Sequence, residues 1–132
     1  MVLGFKRRFA PMVRDGSKTH SIREDPNDRW KVGVIVDAFV DPRQKTMERL
    51  IPRTPCVKVQ KIVIIPSCDA AAPLKVMIDG DTLSRDEAEG LFHRDGFRDE
   101  TKEVYPAMSQ AAEFWKDRLP FLGKLIHWKF PA

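Results

Sequence analysis

Residues 55–65, P-C-V-K-V-Q-K-I-V-I-I, constrain the fold more than any other stretch. Val57 and Val59 alternate with Lys58 and Gln60, the period-2 pattern of a strand with one wet face. The run then becomes apolar throughout, as when a strand passes from the surface of a barrel into its core. Its β-branched residues favour a pleated, packed surface. Further strands are expected at 34–40 (V-I-V-D-A-F-V, ending at Asp41-Pro42) and at 74–78 (L-K-V-M-I). The second of these runs into Asp79-Gly80, a hairpin-turn dipeptide, with Thr82-Leu83 returning. Residues 19–23 are short and extended in character. A last strand is predicted over 122–130, with Leu125, Ile126, Trp128 and Phe130 packing on both sides. The polar, basic stretch 43–54, with Arg43, Lys45, Arg49 and Arg53, reads as a loop or a short helix.

Helical spacing appears in three places. Phe5, Phe9, Met12 and Val13 predict a short helix within 5–15, ending near Gly16, with Pro11 tolerated in its first turn. Ser84 is an N-cap, and Glu87 stands at the capping-box spacing. Helix 85–94 then presents Ala88, Leu91 and Phe92 on one face and closes at Asp95-Gly96. Met108, Ala111, Ala112, Phe114 and Trp115 predict a second long helix over 107–118. Strands first, a helical pair late and a closing strand indicate an α+β chain, a small mixed β-barrel flanked by helices. At 132 residues with no repeat or long linker, 1–132 is expected to be one domain.

Composition narrows the function classes. A hydrophobic share of 42% with 32% charged residues is that of a globular domain and not of a disordered chain. The formal net charge of +4 suits a polyanionic partner, and solubility explains it equally well. Met1–Phe5 is too short for the apolar region of a secretion signal, and basic residues follow it instead of preceding it. No apolar run approaches the roughly 18 residues of a membrane span. Cys56 and Cys68 are therefore expected as free thiols in a cytoplasmic protein. The cysteines and histidines lack C-x-x-C or H-x₃₋₅-H spacing, and there is no phosphate-cradling glycine loop, no G-x-S-x-G elbow and no zinc-deaminase signature. Neither a metal nor a cofactor is expected.

The densest polar cluster is Gly16-Ser17-Lys18-Thr19-His20-Ser21-Ile22-Arg23. A lysine can act as base towards a nearby hydroxyl, and an arginine can fork onto a phosphate or a developing oxyanion. An edge strand carrying gatekeeping charges accounts for the same residues without chemistry. In an extended strand Ser21 and Arg23 share one face while Lys18 and His20 share the other. Lys18 reaches Ser21 only if the chain bends between Gly16 and His20, which Gly16 permits. Trp30, in a loop between Arg29 and Lys31, is the tryptophan expected to stack on a base or rim the cleft, whereas Trp115 and Trp128 are expected in the core. His93 and His127 read as structural or exposed histidines.

At these residues the chain resembles the ASCH family of the PUA-like superfamily. The pattern G-x-K-x-x-[ST]-x-R stands here as Gly16, Lys18, Ser21 and Arg23, followed by Lys31-Val32-Gly33. The N-terminal L-G-F-K-R-R-F-A-P-M-V, the closing L-I-H-W and the turn Arg94-Asp95-Gly96-Phe97 look like phage or prophage members. The resemblance implies a PUA-like β-barrel with a cleft for RNA or a nucleobase. Some ASCH proteins hydrolyse the acetamide of N4-acetylcytidine with a lysine as proton acceptor, a threonine as nucleophile and a glutamate as proton donor. By motif, these roles fall on Lys18, Ser21 and Asp95, with Arg23 steadying the substrate or its oxyanion. Serine replaces threonine, aspartate replaces glutamate with a shorter reach, and Val34 stands where the family often has an acidic residue. Without the resemblance, Asp95-Gly96 is an ordinary helix end. Two expectations stay open. One is a non-catalytic RNA-binding module gripping through Lys18, Arg23, Arg29, Lys31 and the basic 43–53 excursion, with His20 and Trp30 at the cleft. The other is a small amidohydrolase or ribonuclease using Lys18, Ser21 and Asp95. Oligomeric state is not legible.

Overall fold

The computed structural model describes residues 1–41 and 44–131, so Pro42 and Arg43 of the expected turn and basic excursion lie outside the described residues. The long apolar run forms β5 (Thr54–Pro66), and the rest of the sheet is arranged around it. Along one edge lies β8 (Phe121–Trp128), antiparallel from Cys56↔Trp128 to Ile64↔Phe121, with a register shift between Cys56 and Lys58. The other edge is shared. The first residues of β5 pair with β3 (Ile35–Val40), and Ile62–Pro66 pair with β6 (Leu74–Ile78). Asp79 and Gly80, with φ of 50° and 87°, make the tight turn into β7 (Asp81–Thr82), the two left-handed residues that such a hairpin requires. β2 (His20–Arg23) pairs antiparallel with β8, placing His20 opposite His127.

The chain is α+β, with a mixed eight-stranded sheet and three α-helices. The pairings among the described residues do not close the sheet into a ring. Two expectations are corrected. Phe5 does not start the helix expected within 5–15 but ends β1 (Val2–Phe5), parallel to β3 from Val2↔Asp37 to Phe5↔Val40. A 3-10 turn at Arg7–Phe9 then leads into α1 (Ala10–Asp15). The helical spacing of Phe5 and Phe9 was real, but a partner strand more than thirty positions away takes the backbone hydrogen bonds of the first residues. Within 43–54, Glu48–Arg49 forms β4, a short antiparallel addition to β3 in place of a helix.

The capping box is complete. Ser84 Oγ accepts from the Glu87 N–H at 3.1 Å, and Glu87 Oε1 accepts from the Ser84 N–H at 3.0 Å. It starts α2 (Arg85–Asp95), which ends at Gly96. The Glu89 carboxylate accepts from the backbone N–H groups of Ala107 and Met108 at 2.9 and 2.8 Å, satisfying the first turn of α3 (Pro106–Trp115). Val13, Val36, Ile62, Ile64, Phe92, Phe97, Met108 and Ile126 fill one continuous core between sheet and helices. Cys56 is buried, Cys68 is exposed, and both are free. Among the described residues, no helix is long and apolar enough to cross a membrane.

Candidate functional site

Two chain breaks build the site. Gly16 ends α1 with φ of 83°, and the Lys18 N–H then bonds back to Met12 O at 3.0 Å. This bend takes Lys18 out of β2 before the strand begins, so strand alternation no longer separates it from Ser21. Gly96 ends α2 with φ of 120°, leaving Asp95 as the last helical residue. Lys18 Nζ donates to Asp95 Oδ1 and to the Asp95 main-chain oxygen, both at 2.6 Å. Both residues are buried, at 3% and 6% exposure. The ammonium thus meets a carboxylate and the negative end of a helix at once. His20 Nε2 lies 3.4 Å from the same Oδ1, without hydrogen-bond geometry, and is a buried polar atom lacking a partner.

Ser21 and Arg23 project together, as expected from alternation. Arg23 Nε donates to Ser21 Oγ at 2.9 Å and Nη2 to Gly4 O at 2.7 Å, with the guanidinium over the Phe5 ring. Lys18, Ser21, Arg23 and Asp95 all line one pocket of about 620 Å³. Its apolar wall comes from Phe5, Phe9, Phe97, Phe114, Trp115 and Phe121. The volume is that of a small-molecule site, and a few convergent polar groups on an aromatic wall are how such sites orient a ligand.

The electrostatics are unequal. Burial alone would raise the Asp95 carboxyl, but Lys18 and His20 outweigh it and hold Asp95 below the usual carboxylate range. Burial pushes the Lys18 ammonium below its ordinary value, the Asp95 carboxylate opposes this, and Arg23 and Arg98 push the same way as burial. These two directions are compatible, since Asp95 faces two basic groups while Lys18 has one anion against burial and two guanidiniums. The result is an ionised carboxylate beside a lysine that releases its proton more readily than one in water.

Behind the pocket, the His20 and His127 rings meet edge to face at 5.7 Å, and His127 Nε2 is 2.8 Å from Gln60 Oε1. The amide oxygen is an acceptor, so Nε2 carries the hydrogen of a neutral imidazole. Burial first, then His20, Lys58 and Arg94, push His127 down to about 4. A base whose folded value is depressed contributes stability above its unfolded value of about 6.5 and loses it as pH falls towards 4. Allowing for partial exposure, about 1–2 kcal/mol should be lost across that window. Urea titrations at pH 7 and pH 4 should show this loss in the native chain and a smaller one in His127→Gln. Equal losses in both would remove His127 as the cause.

Arg98 has no signature in the sequence, yet it ties the site together. Its Nη1 and Nη2 donate to Ser17 Oγ and Ser17 O at 2.8 and 2.9 Å, and its Nε donates to His93 O at 2.9 Å. One guanidinium therefore clips the turn that carries Lys18 to the helix end that carries Asp95.

Other expected contacts are not brought to the pocket. The Asp25 carboxylate accepts from the N–H groups of Arg29 and Trp30 and from Lys124 Nζ, folding the 24–33 loop inwards. Trp30 is only 5% exposed, so the expected stacking or rim role is corrected to a core one. Arg29, Trp30 and Lys31 do not line the pocket, and Lys31 pairs with Asp28 at 3.6 Å. Arg49 and Arg53 both pair with Asp37 Oδ1, at 2.7 and 2.8 Å. Trp115 and Trp128 are buried as expected, and Trp115 is also a wall of the pocket. Among the described residues, no group of three or more histidine, cysteine, aspartate or glutamate side chains could hold a metal ion.

No protein-family model, no curated protein and no solved structure matches the chain. The chemistry of the pocket therefore has to be read from its own residues.

Proposed function

We propose that the chain is an ASCH-type domain of PUA-like fold that binds a nucleoside in the Lys18–Asp95 pocket and hydrolyses an exocyclic amide of the N4-acetylcytidine kind. The observation that carries this reading is the buried Lys18–Asp95 pair at 2.6 Å, sharing an aromatic pocket with Ser21 and Arg23. Burying two charges costs several kcal/mol per ion, and a core can be filled as well with apolar residues. Buried titratable groups with a specific charge partner in a cleft are a mark of functional sites, and this pair lines a pocket. The phenylalanine walls offer faces on which a base can stack.

In this reading, Lys18 in its neutral form takes the Ser21 hydroxyl proton, and Ser21 Oγ attacks the acetamide carbonyl. Arg23, already on Ser21 Oγ, faces the developing oxyanion. The exocyclic nitrogen leaves with the proton shared by Lys18 and Asp95, and water then releases acetate from Ser21. Asp95 acts through that shared proton, because it stands ionised against Lys18.

The second reading is binding without chemistry, and one observation favours it. Ser21 Oγ is bonded by Arg23, while both hydrogen bonds of Lys18 go to Asp95. Incubation with N4-acetylcytidine and with a mixed RNA pool separates the two. Catalysis should give cytidine and acetate, with turnover reduced about 10²–10⁴-fold in Ser21→Ala and nucleoside affinity kept within a few-fold. Tight binding without product leaves the binding module. Neither binding nor product would remove both.

A further inference from the structure

The pocket is lined by more positive charge than its carboxylates satisfy. Four basic side chains line it, Lys6, Lys18, Arg23 and Arg118, and only Lys18 has a carboxylate partner among the described residues. Of the three acidic lining residues, Asp95 is engaged by Lys18, and Asp41 by Arg7 at 2.5 Å. Among the described residues, the Glu24 side chain has no ion pair or hydrogen bond. Arg23 is a part-buried guanidinium whose hydrogen bonds go to a hydroxyl and a carbonyl, both neutral, with the Asp95 carboxylate as the charge that acts on it.

Lys6 and Arg118 add a second feature. Both are exposed at the pocket edge, and both lie over the same ring, Phe114, each 4.8 Å from its centroid. The two charges are therefore closer together than about 10 Å, within one Debye length, where like charges repel unless an anion sits between or beside them. Arg118 stands in the 3-10 turn just past α3, four residues after Phe114, and donates to Phe114 O at 3.3 Å. Lys6 reaches the ring from the turn after β1, so only the tertiary fold makes the two charges meet. The aromatic face explains why each is attracted there, but it supplies no net negative charge.

We infer that the ligand of this pocket is a nucleoside monophosphate, whose phosphomonoester is held by Lys6 and Arg118 while its base lies along the aromatic wall. The inference rests on the nucleoside reading above and specifies its substrate class. A free nucleotide fits better than an RNA strand. A strand needs a track of available cations leading away from the site. Of the basic residues expected to form such a track, Arg49 and Arg53 share the Asp37 carboxylate and Lys31 pairs with Asp28, and none of the three lines the pocket.

Calorimetric titration of the full chain with N4-acetylcytidine, with its 5′-monophosphate and with a short oligoribonucleotide containing it tests this. The monophosphate should bind at least about tenfold more tightly than the nucleoside at low salt, and the advantage should shrink as salt rises. On the Lys6→Ala/Arg118→Ala double variant the two ligands should bind alike. Equal affinities on the native chain, or an advantage that survives the double substitution, would overturn the inference. A gain confined to the oligoribonucleotide would overturn it in favour of strand binding. Inorganic phosphate titrated alone separates the two layers of the proposal, read on the Arg118 Nε–H resonance. If neither nucleoside nor nucleotide binds but phosphate moves that resonance, the nucleoside reading and the inference built on it fail, leaving an anion site for a different ligand. If phosphate leaves it unmoved as well, the anion site fails too.

Discussion

Asp95→Ala should lower the free energy of unfolding by about 3–5 kcal/mol, the usual cost of leaving one member of a buried ion pair uncompensated. Lys18 would keep its place in the core with only the main-chain oxygen of residue 95 to accept from it. Removing both charges should cost much less. Lys18→Met/Asp95→Leu should recover most of the loss, because two apolar side chains leave no unpaired charge behind. Urea unfolding followed by far-UV circular dichroism measures both. A loss below about 1 kcal/mol in the single variant would mean that water solvates the pair as it does on a surface. The same pair sets the acid limb. Asp95 has its folded value depressed, so its contribution is fully present above the unfolded value of about 3.9 and is lost as pH falls through the lower folded value. Lys18 works in the same direction at the alkaline end. With its folded value depressed, the unfolded chain binds the proton more tightly, and stability rises with pH up to about 10.4.

Gly96→Ala should cost about 2–4 kcal/mol, combining a strained backbone with an overpacked contact. The φ of 120° is one that side chains with a Cβ rarely adopt, and that Cβ would sit 2.5 Å from Phe9 Cδ1 and 3.1 Å from Met12 Sδ. Phe9 is both a wall of the pocket and a ring beneath Lys18, so pushing it aside should also weaken ligand binding. Gly90→Ala is the matched control on the same helix. Its Cβ would meet only the flexible end of Arg94, and helix propensity should make it neutral or stabilising by up to about 1 kcal/mol. Thermal unfolding of the two variants side by side reads the difference. Similar melting temperatures would show that Phe9 and the helix end relax freely around the added methyl.

Features that depend on near neighbours were legible in the sequence. The Asp79-Gly80 turn and the Ser84–Glu87 capping box require residues within four positions of one another, and both form as read. The extent of β5 was legible for the same reason, since a β-branched apolar run is a local pattern. The expected alternation was not, because the register shift between Cys56 and Lys58 leaves Val57 exposed. Nor was β1, because its identity as a strand depends on hydrogen bonds to β3, and its last residue, Phe5, is also in helical spacing with Phe9, Met12 and Val13. Trp30 was misplaced for a related reason. A tryptophan flanked by Arg29 and Lys31 looks exposed until Asp25 folds the loop and turns the ring inwards.

The site divides in the same way. By itself the sequence determined that Ser21 and Arg23 share a strand face, and that a glycine stands where a bend could free Lys18 from the opposite face. It also placed an aspartate at the end of a capped helix. Only the tertiary structure decided that Lys18 and Asp95, 77 positions apart, meet at 2.6 Å in a buried pocket, and that Arg98 clips their two segments together. It alone brought Lys6 over the Phe114 ring that Arg118 covers from four positions on. The physical reason is that turns, caps and strand faces are set by the periodicity of the backbone, whereas a buried charge finds its partner only when the core closes around both.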